Sequence, residues 1–65
     1  MDNMEALDRL KDIGLEMEDE ITDLRGTVSA VMFCAGGQVD YRLEYLKDER
    51  IEAVWIPAGR LSACK

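Results

Sequence analysis

Residues 38–61 have the sequence QVDYRLEYLKDERIEAVWIPAGRL, and this stretch decides the fold. From residue 38 to residue 46, polar side chains alternate with apolar or aromatic ones, as in a strand with one buried and one solvated face. After the charged segment 47–49 the alternation resumes, and it stops at Pro57. The stretch therefore predicts two antiparallel strands joined by a charged turn.

The flanking segments extend this pattern to five strands. Residues 15–21 predict a first strand with an acidic, solvated outer face formed by Glu16, Glu18, Asp19 and Glu20. Residues 27–33 are rich in β-branched side chains and nearly free of charge, so they predict a buried strand. The pair Gly36-Gly37 predicts a tight turn. Proline donates no backbone hydrogen bond, so Pro57 predicts a corner before a last short strand at Leu61.

The N-terminal segment predicts a short helix. Met4, Leu7, Leu10 and Ile13 recur at three-residue spacing and form one apolar stripe, and Gly14 is a typical stop. A helix of about ten residues is marginal in isolation, so the stripe must pack on something. Packing on the strands and packing on a second subunit both remain open.

Five short strands with a one-turn corner before the last resemble an SH3-like barrel. The segments that carry the likeness are residues 18–23 (EDEITD), Gly26-Thr27-Val28, Gly36-Gly37, Tyr41-Arg42-Leu43, residues 51–56 and Arg60-Leu61. Over residues 15–61 the pattern is similar to small barrel proteins encoded by bacteriophages and prophages. It also resembles, more distantly, plasmid-type dihydrofolate reductases, which act as homotetramers around one pore. The resemblance implies the fold and oligomerisation. This chain has no match to their substrate-contacting Val-Gln-Ile-Tyr stretch, so the resemblance does not extend to the reductase activity.

We therefore expect a mainly β protein, a small five-stranded SH3-like barrel preceded by a short N-terminal α-helix. Residues 1–65 form a single domain, with the helix at 1–14 and the barrel at 15–62. A chain of this length buries only about 60% of its unfolded surface, so a homo-oligomer is expected.

Composition excludes several classes of function. Fourteen carboxylates against eight basic side chains give a net charge of -6, which disfavours direct binding to nucleic acid. The N-terminus lacks the pattern of a secretory signal, and no apolar run is long enough for a bilayer, so we expect no membrane association and a cytoplasmic location. The chain has no histidine, and Cys34 and Cys64 are far apart in the sequence, so we expect free thiols, no metal and no cofactor.

Five residues are candidates for binding a ligand or partner: Tyr41, Arg42, Tyr45, Trp55 and Arg60. On an SH3-like barrel, aromatic side chains can form a groove for a peptide or planar ligand. Arginine offers a planar fork for phosphate or carboxylate. The alternatives are core packing for the tyrosines and ion pairs for the arginines.

No nucleophile with an adjacent base is evident, so we expect no catalytic residue. The sequence favours a noncatalytic, self-associating binding protein of phage or mobile-element origin. Its ligand would be a host protein, as for an inhibitor of host defence, or a sequestered small anionic molecule. The alternatives are a minimal oligomeric enzyme with a shared central pore and a structural module of a virion or adaptor.

Overall fold

The computed structural model describes residues 3–64, with side chains from residue 7 onward, and it is mainly β. The elements are α1 (Asn3–Leu10), β1 (Glu16–Asp19), β2 (Arg25–Phe33), β3 (Val39–Lys47), β4 (Arg50–Pro57) and β5 (Leu61–Ala63). All neighbouring strands are antiparallel, and they form one sheet in the order β4-β3-β2-β1-β5. The predicted five strands and short N-terminal helix are confirmed.

The β3–β4 hairpin forms as the alternation predicts. Its turn consists of Asp48 and Glu49, whose φ angles of 51° and 66° are both positive. This is the type I′ geometry, whose twist matches that of the flanking strands. The turn sets a register in which Tyr41 lies opposite Ile56 and Leu43 opposite Val54.

The glycine pair also forms a turn as predicted. Residues Ala35–Gly37 make a short 3₁₀ segment between β2 and β3, in which Gly36 and Gly37 have φ angles of 84° and 87°. A side chain would be strained in this left-handed region, which is why glycine fits there. The β2–β3 ladder contains an irregularity between Val28 and Ala30.

The two edges of the sheet are drawn towards each other at the proline corner. Strands β4 and β5 lie at opposite edges, yet only the 3₁₀ turn Ala58–Arg60 connects them. Such a turn rises about 2 Å per residue and so spans roughly 8 Å, whereas the outer strands of a flat five-stranded sheet lie about 19 Å apart. The sheet is therefore strongly curled. Within residues 3–64 no ladder joins β4 to β5, so the sheet is open between these two strands.

The concave face of this sheet carries the core. Its buried apolar residues are Met17, Val28, Val39, Tyr41, Leu43, Ile56 and Leu61. Strand β3 supplies three of them at alternate positions, as its sequence pattern predicts. The core runs from β2 across β3 to β4 and closes against β1 and β5.

The apolar stripe of α1 is not part of this core. Leu7, Leu10 and Ile13 are exposed by 59%, 44% and 44%, and none of them belongs to the buried cluster or packs against it. The side chain of Met4 and the first two residues of the predicted segment 1–14 lie outside the described residues. Within residues 3–64, no helix has the length and apolar character needed to cross a bilayer.

Candidate functional site

A pocket of about 350 Å³ opens beside the proline corner. It is lined by Asp19, Thr22, Leu24, Tyr45, Val54, Trp55, Ile56 and Arg60. Three of the five residues predicted from the sequence, Tyr45, Trp55 and Arg60, are therefore brought together in one place. The β1–β2 turn, the β3–β4 hairpin and the 3₁₀ turn before β5 supply the walls.

Tyr45 reaches the pocket because it continues the inward face of β3. It lies two residues beyond the fully buried Leu43, and its side chain is half-buried. Strand β4 contributes Val54 and Ile56 from across the ladder. The result is an apolar surface with an aromatic residue at one side.

Asp19 forms the polar end of the pocket and is only 1% exposed. Its carboxylate accepts hydrogen bonds from the Ile21 backbone N–H at 3.0 Å and from the Thr22 hydroxyl at 2.8 Å. It also accepts bonds from Arg60 Nη2 at 2.6 Å and Nε at 3.3 Å. The Ile21 N–H, together with Thr22 and Arg60, lowers the pKa of Asp19 below its ordinary value, although burial opposes the shift. The group is therefore ionised at neutral pH.

The sequence-based prediction that Asp19 belongs to a solvated acidic face is wrong. Asp19 is buried because it shares the inward parity of Met17 on β1. Its cationic partner, Arg60, is 41 residues away, so no local pattern pairs the two. The one available signal was the odd-numbered parity that residue 19 shares with Leu15 and Met17.

Arg60 is held in a fixed orientation by this contact. Its Nε and Nη2 atoms form a side-on fork with the two oxygens of Asp19, a geometry that gives strong, directed hydrogen bonds. The side chain is still 37% exposed. Among residues 3–64, no side chain or carbonyl accepts a hydrogen bond from its Nη1, so those donors remain available to a ligand.

Two of the predicted binding residues do not line this pocket. Tyr41 is 1% exposed, and its hydroxyl donates a hydrogen bond to the Asp12 carboxylate, as the packing alternative requires. Burial raises the pKa of Tyr41, and the bond to Asp12 raises it further against an opposing effect of Arg9. Tyr41 thereby ties the segment after α1 to the core.

Arg42 lies on the opposite face of β3, in line with the ion-pair alternative. Its Nη1 donates to the Ser29 hydroxyl at 2.9 Å and to the Glu44 carboxylate. Trp55 lies directly opposite Arg42 in the ladder and is 45% exposed. Trp55 thus belongs both to the wall of the pocket and to the outer surface of β4.

Sequence reasoning missed Thr22 and Leu24 as well as Asp19. All three lie in or beside the β1–β2 connection, residues 20–24. Leu24 packs against the core, and its backbone carbonyl accepts a hydrogen bond from the Asp19 N–H at 2.8 Å. The available signal was Leu24, an apolar residue between the charged residues Asp23 and Arg25.

Neither cysteine lines the pocket. Cys34 and Cys64 are free and half-buried, and the Cys34 thiol lies 3.9 Å from an Asp40 carboxylate oxygen. Within the described residues, no cluster of three or more cysteine and carboxylate side chains is placed to hold a metal ion. The pocket combines apolar walls with an oriented guanidinium. Comparison with protein-family models, curated proteins and solved structures found no match for this chain.

Proposed function

We propose that this chain is a noncatalytic binding protein whose pocket takes a small molecule with a planar apolar body and one anionic group. The observation that carries the proposal is the convergence of Tyr45, Trp55 and Arg60 on one pocket. These residues come from β3, β4 and the 3₁₀ turn, so only the folded chain assembles the site.

The size and lining of the pocket suit such a ligand. Its volume of about 350 Å³ falls within the range of small-molecule sites, about 300–1,000 Å³. Leu24, Val54 and Ile56 offer surface that is stabilised by removal from water. Aromatic residues at the wall favour stacking with a planar group.

The orientation of Arg60 supports the proposal that the ligand carries an anionic group. The carboxylate of Asp19 already compensates the guanidinium charge, so Arg60 acts through directed donors rather than through a net positive field. Because Asp19 fixes the guanidinium before any ligand arrives, less side-chain entropy is lost on binding. A carboxylate or phosphate at Nη1 would form charge-assisted hydrogen bonds.

We further propose that the curled sheet is an SH3-like barrel. The strand order, the antiparallel pairing of β1 with β5 and the 3₁₀ turn before β5 support this description. The origin in a phage or mobile element, with a role against a host, stays a prediction from the resemblance of residues 15–61.

A titration followed by ¹H–¹⁵N NMR tests the proposed site. The probes are 2-naphthoate and its neutral analogue 2-naphthalenemethanol. We expect naphthoate to shift the amide signals of Thr22, Leu24 and Trp55 and to bind about tenfold more tightly than the neutral probe. That ratio corresponds to about 1.4 kcal/mol, the lower end of the value for a hydrogen bond to a charged group.

A pair of variants identifies the anion-binding residue. Arg60→Lys keeps the charge but loses the fork, so it should weaken naphthoate binding severalfold and leave the neutral probe unaffected. Arg42→Lys makes the same change outside the pocket and should bind like the wild type. Equal affinity for the two probes, or equal effects of the two variants, would show that the proposed site is wrong.

A further inference from the structure

Strand β4 is an edge strand, and its turn determines which of its backbone groups face outward. Among the described strands, β4 has one neighbour, β3. In a two-residue hairpin the pair that flanks the turn, here Lys47 and Arg50, exchanges both hydrogen bonds. The alternation then points the N–H and C=O groups of Ile51, Ala53 and Trp55 away from β3. Pro57 is the next residue in this series. The N–H that proline lacks would point away from β3, so the β3–β4 ladder loses no hydrogen bond.

The side chains along this edge are unusually apolar for an exposed strand. Ile51 is 76% exposed, Leu46 opposite it is 73% exposed, and Trp55 is 45% exposed. Ile51, Ala53 and Trp55 share one parity and form a large–small–large row on the outer face. A long, exposed apolar edge is a template for pairing with another strand.

The charges of β4 favour a second copy as its partner. The chain carries a net charge of -6, so two copies repel each other over most of their surfaces. Strand β4 carries one positive residue, Arg50, and one negative residue, Glu52, so it is neutral. It is a strand on which two copies can meet without opposing like charges.

We propose that two copies of this chain pair through β4 in antiparallel orientation, with Ala53 of each copy on the two-fold axis. Ile51 then lies opposite Trp55 of the second copy, and Ala53 lies opposite Ala53. Each large side chain meets a large one, and the small residues meet at the centre. This is a closed, isologous interface that joins two sheets into one.

The register follows from the same residues. With Ala53 on the axis, all three outward-facing residues form hydrogen-bonded pairs. Moving the axis to Glu52 would place two carboxylates directly opposite each other, which is destabilising. Moving it to Val54 would bring Pro57 into the ladder, where it has no N–H to donate.

An interface of stable size must include side chains on the outer face of the sheet as well as the backbone edge of β4. A standard interface takes about 800 Å² from each partner, which is roughly one sixth of the 4700 Å² that this chain exposes. Backbone pairing of three residues does not supply that area. The exposed side chains of Leu46, Ile51 and Trp55 extend the contact on both sides of the axis.

Charge variants at Ala53 test both the dimer and its register. Size-exclusion chromatography with light scattering should give a dimer for the wild type and a monomer for Ala53→Arg and for Ala53→Glu. Each substitution places like charges across the axis about 5.5 Å apart between Cα atoms. An equimolar mixture of the two variants should restore a dimer with one copy of each, measured by native mass spectrometry.

Met32→Arg is the matched control. Met32 is 39% exposed and lies on β2, which has a neighbouring strand on each side and is not an edge of the sheet. A charge at Met32 should therefore leave the wild-type dimer intact. Circular dichroism checks that each variant is folded. A monomeric wild type, or a mixture of charge variants that stays monomeric, would overturn the proposal. Pairing of β4 with β5 of the other copy would overturn it too, since Ala53 would then not lie opposite Ala53 and Ala53→Cys would not cross-link to itself.

Cross-linking keeps the proposal testable if the charge variants fail to fold. The background is Cys34→Ser with Cys64→Ser, so that no native thiol remains. In that background Ala53→Cys should oxidise to a covalent dimer, because a Cα separation near 5.5 Å lies within disulfide range. Met32→Cys should remain a monomer under the same oxidant. Equal cross-linking of the two variants would contradict the register.

Discussion

At the scale of single residues, Asp19 shows how a small fold tolerates a buried charge. Its carboxylate accepts bonds from Ile21, Thr22 and Arg60, so both oxygens are satisfied. A buried ionised group without such partners would be strongly unfavourable. The same contact fixes the guanidinium that the pocket presents.

The lowered pKa of Asp19 predicts a specific acid sensitivity. The folded-state pKa lies below that of the unfolded chain, so the unfolded state takes up the proton first as the pH falls. The stabilisation is complete above about pH 4–5 and is lost as the pH falls through the folded-state pKa. Urea unfolding from neutral pH to about pH 3 should therefore show a smaller loss of stability for Asp19→Asn than for the wild type.

The control is Glu20→Gln, which removes an exposed neighbouring carboxylate. Its pH dependence should follow that of the wild type. If Asp19→Asn and the wild type lose stability in parallel, Asp19 is not the acid-sensitive group.

Tyr41 and Tyr45 show what a residue pattern can and cannot predict. Both were predicted to share one face of β3, and both lie on its inward side. Periodicity gives the face, but it does not tell where along the strand the core ends. Tyr41 is covered by Asp12 from the segment after α1, whereas Tyr45 lies beyond the core and lines the pocket.

At the scale of elements, the packing of β2 against β3 depends on Gly26. A Cβ on Gly26 would lie 2.9 Å from Leu43 Cγ and would overlap the Glu44 carbonyl oxygen. Gly26→Ala should therefore destabilise the protein by about 1–3 kcal/mol, because β2 must move away from β3. Equilibrium unfolding in urea measures this loss.

Gly59→Ala is the matched control for this prediction. A Cβ at Gly59 meets no atom within 4 Å, so its effect should stay within about 0.5 kcal/mol. Equal effects of the two substitutions would mean that the close approach at Gly26 does not constrain the strands.

The elements were predictable where their signals are local. The β3–β4 hairpin follows from alternation on both sides of a charged turn, and the glycine turn follows from Gly36-Gly37. The strand partners of β1 and the pocket were not predictable, because they depend on contacts between distant segments such as residues 16–19 and 61–63. The exposure of Leu7 and Leu10 could not be predicted from the sequence either, since an apolar stripe does not identify the surface on which it packs.

At the scale of the whole molecule, small size makes stability dependent on association. A 65-residue chain has a limited core, and here that core consists of a few residues on one face of the sheet. If two copies pair through β4, unfolding is coupled to dissociation. The thermal midpoint should then rise by several degrees between about 10 and about 100 µM protein.

Circular dichroism melts at the two concentrations measure this shift. Ala53→Arg should melt at the same temperature at both concentrations, because its unfolding is not linked to association. A wild-type midpoint that is independent of concentration would contradict the coupling.

The contact between Asp19 and Arg60 also constrains the order in which the protein acquires its structure during synthesis. The two residues are 41 positions apart, so the carboxylate is made long before the guanidinium. The β2–β3 and β3–β4 hairpins join neighbouring segments and can form as the chain emerges. The β1–β2 turn must wait with an unpaired charge until the last corner has been translated. The contact therefore forms only after Arg60 has left the ribosome.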